Sequence, residues 1–249
     1  MSQHEKPPRV PRFYTDEALR AGATTQLSED AAHHAVHVLR LRAGEPLTLF
    51  NGRGGEYAGR VAAIERLRVT VDVLAHRELE RESPLAVTLV QGVSSSEKMD
   101  FTVQKATELG VAALQPVVAA RSAGRIAGER AAQKRAHWQR VAVAACEQCG
   151  RNRVPEVFAP LPLEAYCQAP QANGLLLSPE AQLGLREAAA RLRGAAALAA
   201  GPEAGFTAAE QAMLAQAGFV PVRLGPRVLR TETAALAALA ALNALAGDF

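Results

Sequence analysis

Cysteine is scarce in this 249-residue chain: Cys146, Cys149 and Cys167 are the only three, and they cannot all pair. A disulfide framework is therefore excluded. No secretory signal precedes them, because the N-terminus is polar and contains prolines. A reduced, cytoplasmic protein is expected. No apolar run approaches the ~20 residues a membrane helix needs. The longest, Ala234 to Leu242, has nine and suits a buried helix. A large excess of one sign of charge is lacking too, with 28 Lys and Arg against 25 Asp and Glu. The formal net charge is +3, which argues against a protein that coats nucleic acid wholesale.

What is present points to a folded chain. Hydrophobic residues make up 49% of it, enough for a core and too many for disorder. The length fits one large domain, or a large one with a small one. Basic residues are unevenly placed. Between Arg121 and Arg153 stand eight Lys or Arg against two Glu. That block is either a phosphate-facing patch or a solvated helix face. Of the 28 basic residues 24 are arginine, the side chain suited to bidentate phosphate contacts.

The first part reads as a small, mainly β module. Leu47 to Phe50 is a short strand, Asn51-Gly52 is a turn signal, and Gly54-Gly55 reinforces it. Strands follow at Glu56–Ile64 and Leu67–Leu74. In the latter, Val69, Val71 and Val73 alternate with Thr70 and Asp72, the period of a half-buried strand. One helix is expected from Glu29 to Leu41, with Ser28 as N-cap. His76 to Pro84 reads as a linker.

Beyond it, strands alternate with helices. Strands are expected at Leu85–Val90, Val111–Val118, Leu175–Leu177, Ala195–Ala200 and Phe219–Leu224. Ser94 with Glu97 has capping-box spacing and opens a helix to Leu109, stopped by Gly110. Further helices fit Ala131 to Cys149, Thr207 to Gly218 (again with capping-box spacing, Thr207 and Glu210) and Thr231 to Leu245. The expected fold class is α/β, with a mostly parallel sheet covered on both faces.

Two glycine-bearing turns follow strands directly: Gly201-Pro202-Glu203-Ala204-Gly205 and Leu224-Gly225-Pro226-Arg227. Ligands of open α/β sheets gather at the carboxyl ends of strands, and glycine lets backbone approach them closely. Each turn is also compatible with an ordinary connection. Neither carries a Walker or dinucleotide glycine pattern, which disfavours a nucleoside triphosphate. A nucleoside-like ligand held by main-chain groups fits both. Arg227, Arg230 and Glu232 crowd the second turn, where Thr231 could cap the last helix. Cys146 and Cys149 form a lone C-x-x-C, read as core or near-surface thiols. His33 and His37 have i, i+4 spacing beside His34, but no acidic ligand set accompanies them. No metal is expected.

These segments resemble the RsmE family of ribosomal RNA methyltransferases. Ser96-Glu97-Lys98-Met99-Asp100 through Lys105–Val111 is similar to its first block. Glu147-Gln148-Cys149-Gly150-Arg151 with Pro155 is similar to its second, E-Q-S-x-R. Gly201 to Phe206 with Glu210 is similar to G-P-E-G-G-F/W. Leu224-Gly225 with Arg227 to Ala234 matches L-G-x-R-I-L-R-x-E-T-A, and Pro11-Arg12-Phe13-Tyr14 resembles the start of its N-terminal domain.

The resemblance implies a PUA-like RNA-binding β-barrel over 1–76 and a trefoil-knotted SPOUT domain over 84–249. It implies a homodimer, S-adenosyl-L-methionine as cofactor, and methylation at N3 of uridine 1498 (the family's RNA numbering) in 16S ribosomal RNA or the small ribosomal subunit. Acting on tRNA, or binding RNA without catalysis, are the alternatives. The cofactor would rest on Leu177, Ala200, Gly201, Pro202, Glu203, Gly205, Leu224, Gly225, Arg227, Val228 and Leu229. Arg230 would bear the charge on the base, helped by Arg151, and Glu232 or Glu203 would accept the proton. RNA phosphates would fall to Arg9, Arg12, Arg40, Arg42, Arg121 and Arg125. Ala204 departs from the family's glycine. Were φ positive there, the alanine would cost about 1 kcal/mol.

Overall fold

In a computed structural model the described residues are 10–124 and 126–249. They divide into two units. The first takes residues up to Arg81 together with Cys146–Val154, and the second takes Glu82–Ala145 and Pro155–Phe249.

The first unit is a five-stranded sheet in the order β1-β3-β4-β5-β2. Its strands are β1 (Arg12–Tyr14), β2 (Thr24–Gln26), β3 (Pro46–Phe50), β4 (Glu56–Glu65) and β5 (Arg68–Arg77). β1 pairs parallel with β3, and the other ladders are antiparallel. The valine alternation seen in the sequence is the inward face of β5. Val69, Val71 and Val73 pack with Phe13, Leu47, Leu49 and Val61 in one core. At about 1.5–3 kcal/mol per buried large side chain, this face fixes the register. The expected linker from His76 begins inside β5.

Helix α1 covers only Glu29–His33. The Ser28 hydroxyl caps it by accepting from Ala31 N–H. The chain continues directly into a π-helical turn over His34–Val38, so the helix expected to Leu41 is present but widens in its second half and ends at Val38. Strands β1 and β2, three residues each, carry no readable period and went unforeseen.

The second unit is built on a parallel sheet in the order β12-β10-β11-β6-β7-β8, with β9 also paired to β7. Its strands are β6 (Ala86–Gly92), β7 (Ala113–Val118), β8 (Glu156–Val157), β9 (Leu161–Pro162), β10 (Gly174–Leu177), β11 (Ala195–Ala200) and β12 (Phe219–Val222). The helices are α2 (Ser96–Glu108), α3 (Gly128–Cys149), α4 (Leu163–Tyr166), α5 (Leu185–Ala189), α6 (Ala208–Gln216) and α7 (Thr231–Ala246). On one face Val90, Ala197 and Ala199 pack with Leu163 of α4 and Leu214 of α6. α7 packs on β6 and β11, with α2 and α5 beside it. Ala235, Ala238, Leu239 and Leu242 are all fully buried. Their i, i+3, i+4, i+7 spacing is one helical face.

Two helix starts correct the sequence reading. Ser94 does not cap α2: Ser95 precedes the helix without a side-chain cap, and the Ser94 hydroxyl points to Gly92 O. Thr231 is not the N-cap of α7, since Arg230 holds that position. The Thr207–Glu210 capping box of α6 is present in both directions. Gly110 (φ 82°) and Gly218 (φ 97°) turn the chain just after α2 and α6, a left-handed conformation that glycine adopts without strain.

Candidate active site

The carboxyl ends of β10, β11 and β12 open onto a cavity of about 420 Å³. Its walls are the segment after β10 (Leu177 to Glu180), the bend after β11 (Gly201 to Phe206) and the chain between β12 and α7 (Leu224 to Leu229). All eleven residues expected to hold the cofactor line it. Gly201 permits the tight first bend, because a Cβ there would lie 2.9 Å from Phe206 N. Gly205 (φ 69°) and Gly225 (φ 106°) supply the left-handed turns. Ala204 is not left-handed, so the strain anticipated for it is absent.

The two bends are tied together. Thr231, the first residue of α7, donates its hydroxyl to Gly201 O. That hydroxyl also accepts from Gln91 Nε2 at 3.0 Å. Sequence reasoning missed Gln91; the available signal was one amide near the end of a mostly apolar strand.

Four charged residues reach the cavity wall: Arg121, Glu180, Glu203 and Arg227. Arg121 was expected on RNA, but its Nη1 donates to Ala204 O at 3.0 Å. Glu180 accepts from the Ser178 hydroxyl at 2.9 Å; the pair follows β10 directly and was legible from the same strand-end rule. Glu203 accepts from Lys98 Nζ at 3.0 Å and from Ser95 N–H at 3.3 Å. The Lys98 hydrogen bond, with that from Ser95, holds its carboxyl below the usual range, which makes it a weaker base.

The other expected catalytic residues separate. Arg230 is exposed at the start of α7 and makes no side-chain hydrogen bond or ion pair among the described residues. Glu232, in the first turn of α7, is partly buried, and its Oε2 is buried without a hydrogen-bond partner among the described residues. Arg151, the expected helper, is buried within the first unit and does not line the cavity. The segment around it is a structural latch. Asn152 Nδ2 donates to Leu79 O, Arg81 Nη1 donates to Gly150 O, and Glu147 accepts Tyr14 N–H at 2.9 Å.

Arg12 belongs to the same latch. Its Nη1 meets Glu56 at 2.6 Å, its Nη2 donates to Asn152 Oδ1 at 2.7 Å and to Arg151 O at 3.1 Å, and it sits over the Phe50 ring. A guanidinium so engaged has little left to offer a phosphate, the role expected for it on RNA. Arg40 and Arg42 are exposed, Arg40 with φ 55°. Arg9 and Arg125 lie outside the described residues.

The cysteines are free thiols; Cys146 is buried and points to Arg153 O. The rings of His33 and His37 lie 4.7 Å apart and tilted to each other on the surface. Among the described residues no group of three His, Cys, Asp or Glu could hold a metal ion. No helix among them is long and apolar enough to cross a membrane.

Comparison with known proteins gives a consistent set of relatives. A family model described as an RNA methyltransferase domain matches residues 81–243, and one described as an RNA methyltransferase PUA domain matches residues 27–74. Ribosomal RNA small subunit methyltransferase E of Mycobacterium bovis is 36% identical over 243 residues, covering 94% of this chain and 91% of that protein. The Buchnera aphidicola protein of the same name is 32% identical, covering 96% and 98%. Among solved structures, ribosomal RNA small subunit methyltransferase E of Neisseria gonorrhoeae, bound to S-adenosylmethionine, superposes with a TM-score of 0.89 at 41% identity, covering 96% of this chain and 99% of that one. A Legionella pneumophila methyltransferase with its bound cofactor gives 0.92 at 38%, covering 97% and 100%.

Proposed function

This chain belongs to the ribosomal RNA small subunit methyltransferase E family, and from that premise we propose that it methylates N3 of uridine 1498 in 16S ribosomal RNA. It is an S-adenosylmethionine-dependent ribosomal RNA methyltransferase. The observation that carries the reading is the cavity shared by the two glycine bends. Its volume suits a nucleoside-sized ligand. Leu176, Leu177, Leu224, Leu229 and Phe206 are among its lining residues, which suits adenine and a thioether chain. Arg121, Arg227, Glu180 and Glu203 offer both signs of charge to a zwitterionic methionine end. When bound, S-adenosylmethionine supplies an electrophilic methyl group on a sulfonium.

The chain's own residues must then make the imide nitrogen nucleophilic. Uridine N3 carries a proton, and its anion spreads over N3 and the two flanking oxygens. Arg230 is suited to stabilise that anion: it stands at the mouth of α7, unpaired among the described residues, beside the positive end of the helix dipole. Glu232 is the better proton acceptor, since one of its oxygens is buried and has no partner among the described residues. Glu203 is the poorer one, because Lys98 already holds its charge. Exposed Arg40 and Arg42 are left to meet RNA phosphates, with the PUA domain docking the RNA. The homodimer, the trefoil knot and the cytoplasmic setting carried by the family resemblance belong to the same reading.

The test is to incubate the protein and labelled S-adenosylmethionine with small subunits lacking the modification, then to locate the label by mass spectrometry. Methyl on N3 of that uridine is expected. Label on tRNA, on a ribose hydroxyl or on another base overturns the assignment.

A further inference from the structure

We propose that Gln91 is a positioning residue for methyl-donor binding, holding the two glycine bends at the spacing the donor requires. The inference rests on the cavity being the donor site. Gln91 ends the apolar run Val87, Leu89 and Val90 of β6 and is 2% exposed. A buried amide needs partners, and all of those found for it lie around the bends. Its Nε2 is 3.0 Å from Gly92 O, 3.3 Å from Gly201 O and 3.0 Å from Thr231 Oγ1. Thr231 closes the figure by donating its own hydroxyl to Gly201 O. Gln91, Gly201 and Thr231 thus form a triangle of hydrogen bonds. One corner stands on β6, one on the bend after β11, and one where the chain from β12 enters α7. Bonds arranged this way polarise and reinforce one another.

Two further observations bind Gln91 to this task. Turning its amide over would set Oε1 against the carbonyls of Gly92 and Gly201, so the orientation is fixed. As a result Oε1 is buried with no partner among the described residues. Such orphans are rare and call for a compensating role. The neighbouring Gly92 lets the strand end press on the bend, because a Cβ there would lie 2.4 Å from Pro202 N. Gln91 itself does not line the cavity, whereas Gly201 and Thr231 do. Its influence on the donor therefore passes through them.

The test compares Gln91→Leu, Thr231→Val, the double variant and Thr231→Ser. S-adenosylmethionine affinity is read by titration calorimetry, KM for the donor and kcat by turnover on small subunits, and folding by thermal melting. Gln91→Leu and Thr231→Val should each weaken donor binding and raise its KM about tenfold, the size of one or two lost hydrogen bonds. kcat at saturating donor should stay within about threefold. The double variant should be no worse than the weaker single, because all three groups act as one unit. Thr231→Ser keeps the hydroxyl and should bind the donor like the unaltered protein.

Unchanged donor affinity in folded Gln91→Leu, or a fall in kcat with KM unmoved, overturns the proposal. If Gln91→Leu fails to fold, the near-isosteric Gln91→Glu carries the same expectation of weakened donor binding, since its oxygens face Gly201 O in place of the amide N–H. Failure of the unaltered protein to bind S-adenosylmethionine sinks the donor-site reading itself, an outcome distinct from the variants behaving alike.

Discussion

Replacing Arg12 by leucine separates two accounts of the first unit. One makes Arg12 a phosphate contact, and the other makes it the centre of an internal latch. The Arg12 and Glu56 side chains are only 9% and 7% exposed and meet at 2.6 Å. Without Arg12, Glu56 keeps only Arg81 among the described residues, at 3.5 Å and itself 41% exposed. Breaking a buried pair from one side costs about 3–5 kcal/mol, and the remaining Arg81 points to the lower end. Arg12→Leu with Glu56→Leu removes the stranded charge and should cost less than Arg12→Leu alone. Burial pushes the Glu56 carboxyl up, but the Arg12 hydrogen bond and the charges of Arg12 and Arg81 outweigh it, leaving it below its ordinary 4.5. A depressed carboxylate gives stability that is complete above its unfolded value and lost as pH falls through its folded one. The gap between the unaltered protein and Arg12→Leu should therefore narrow as pH falls below 4.5, leaving the part owed to the Asn152, Arg151 and Phe50 contacts. Urea denaturation followed by circular dichroism, stepped from pH 7 downward, reads both effects. A loss under about 1 kcal/mol at pH 7, with a shallower salt dependence of RNA binding, would refute the latch and restore the phosphate contact.

Arg230→Ala should lower kcat about 10²–10³-fold, the usual effect of losing one charge-stabilising donor. It should leave melting and donor affinity nearly unchanged, because the exposed side chain has no partner among the described residues; turnover assays beside calorimetry check this. Glu232→Gln should lower turnover far more than Glu203→Gln, and equal losses would withdraw the assignment of the proton acceptor. Burial holds the Glu147 carboxyl above its ordinary value, against the Tyr14 N–H bond and the charges of His34 and Arg12. Its ionised form thus weighs on the fold above the raised value, and the burden is gone below the unfolded one. Glu147→Gln keeps an acceptor for Tyr14 N–H, so it should raise the melting temperature at pH 8 and make no difference at pH 4 (about half a unit below the ordinary glutamate value). A lower melting temperature at pH 8 would contradict this.

The α/β alternation was legible because long apolar strands and capped helices carry their own periods. Thr207 with Glu210 announced α6, and Val69, Val71 and Val73 announced β5. The cofactor bends were legible for a different reason: glycines directly after strands mark the edge where such sheets bind ligands. Residues whose meaning depends on a distant partner were not legible. Arg12 and Arg151 look like RNA or catalytic arginines until the fold brings residues some 140 positions apart into one hydrogen-bond network. Gln91 joins Thr231 across a similar separation. Thr231 reads as a cap in isolation, because a threonine at a helix start is usually one. Its hydroxyl instead serves Gly201, a partner 30 positions away in the chain that the fold places beside the start of α7. Ala204 shows the reverse case. The family pattern suggested strain, whereas the left-handed position is Gly205.

The most direct measurement is a crystal structure of this protein with S-adenosylmethionine bound. The adenosine should lie between the Gly201–Phe206 bend and the Leu224–Leu229 segment, with the sulfonium methyl facing outward toward Arg230. A donor bound anywhere else, or held without contact to one of those two segments, contradicts the account.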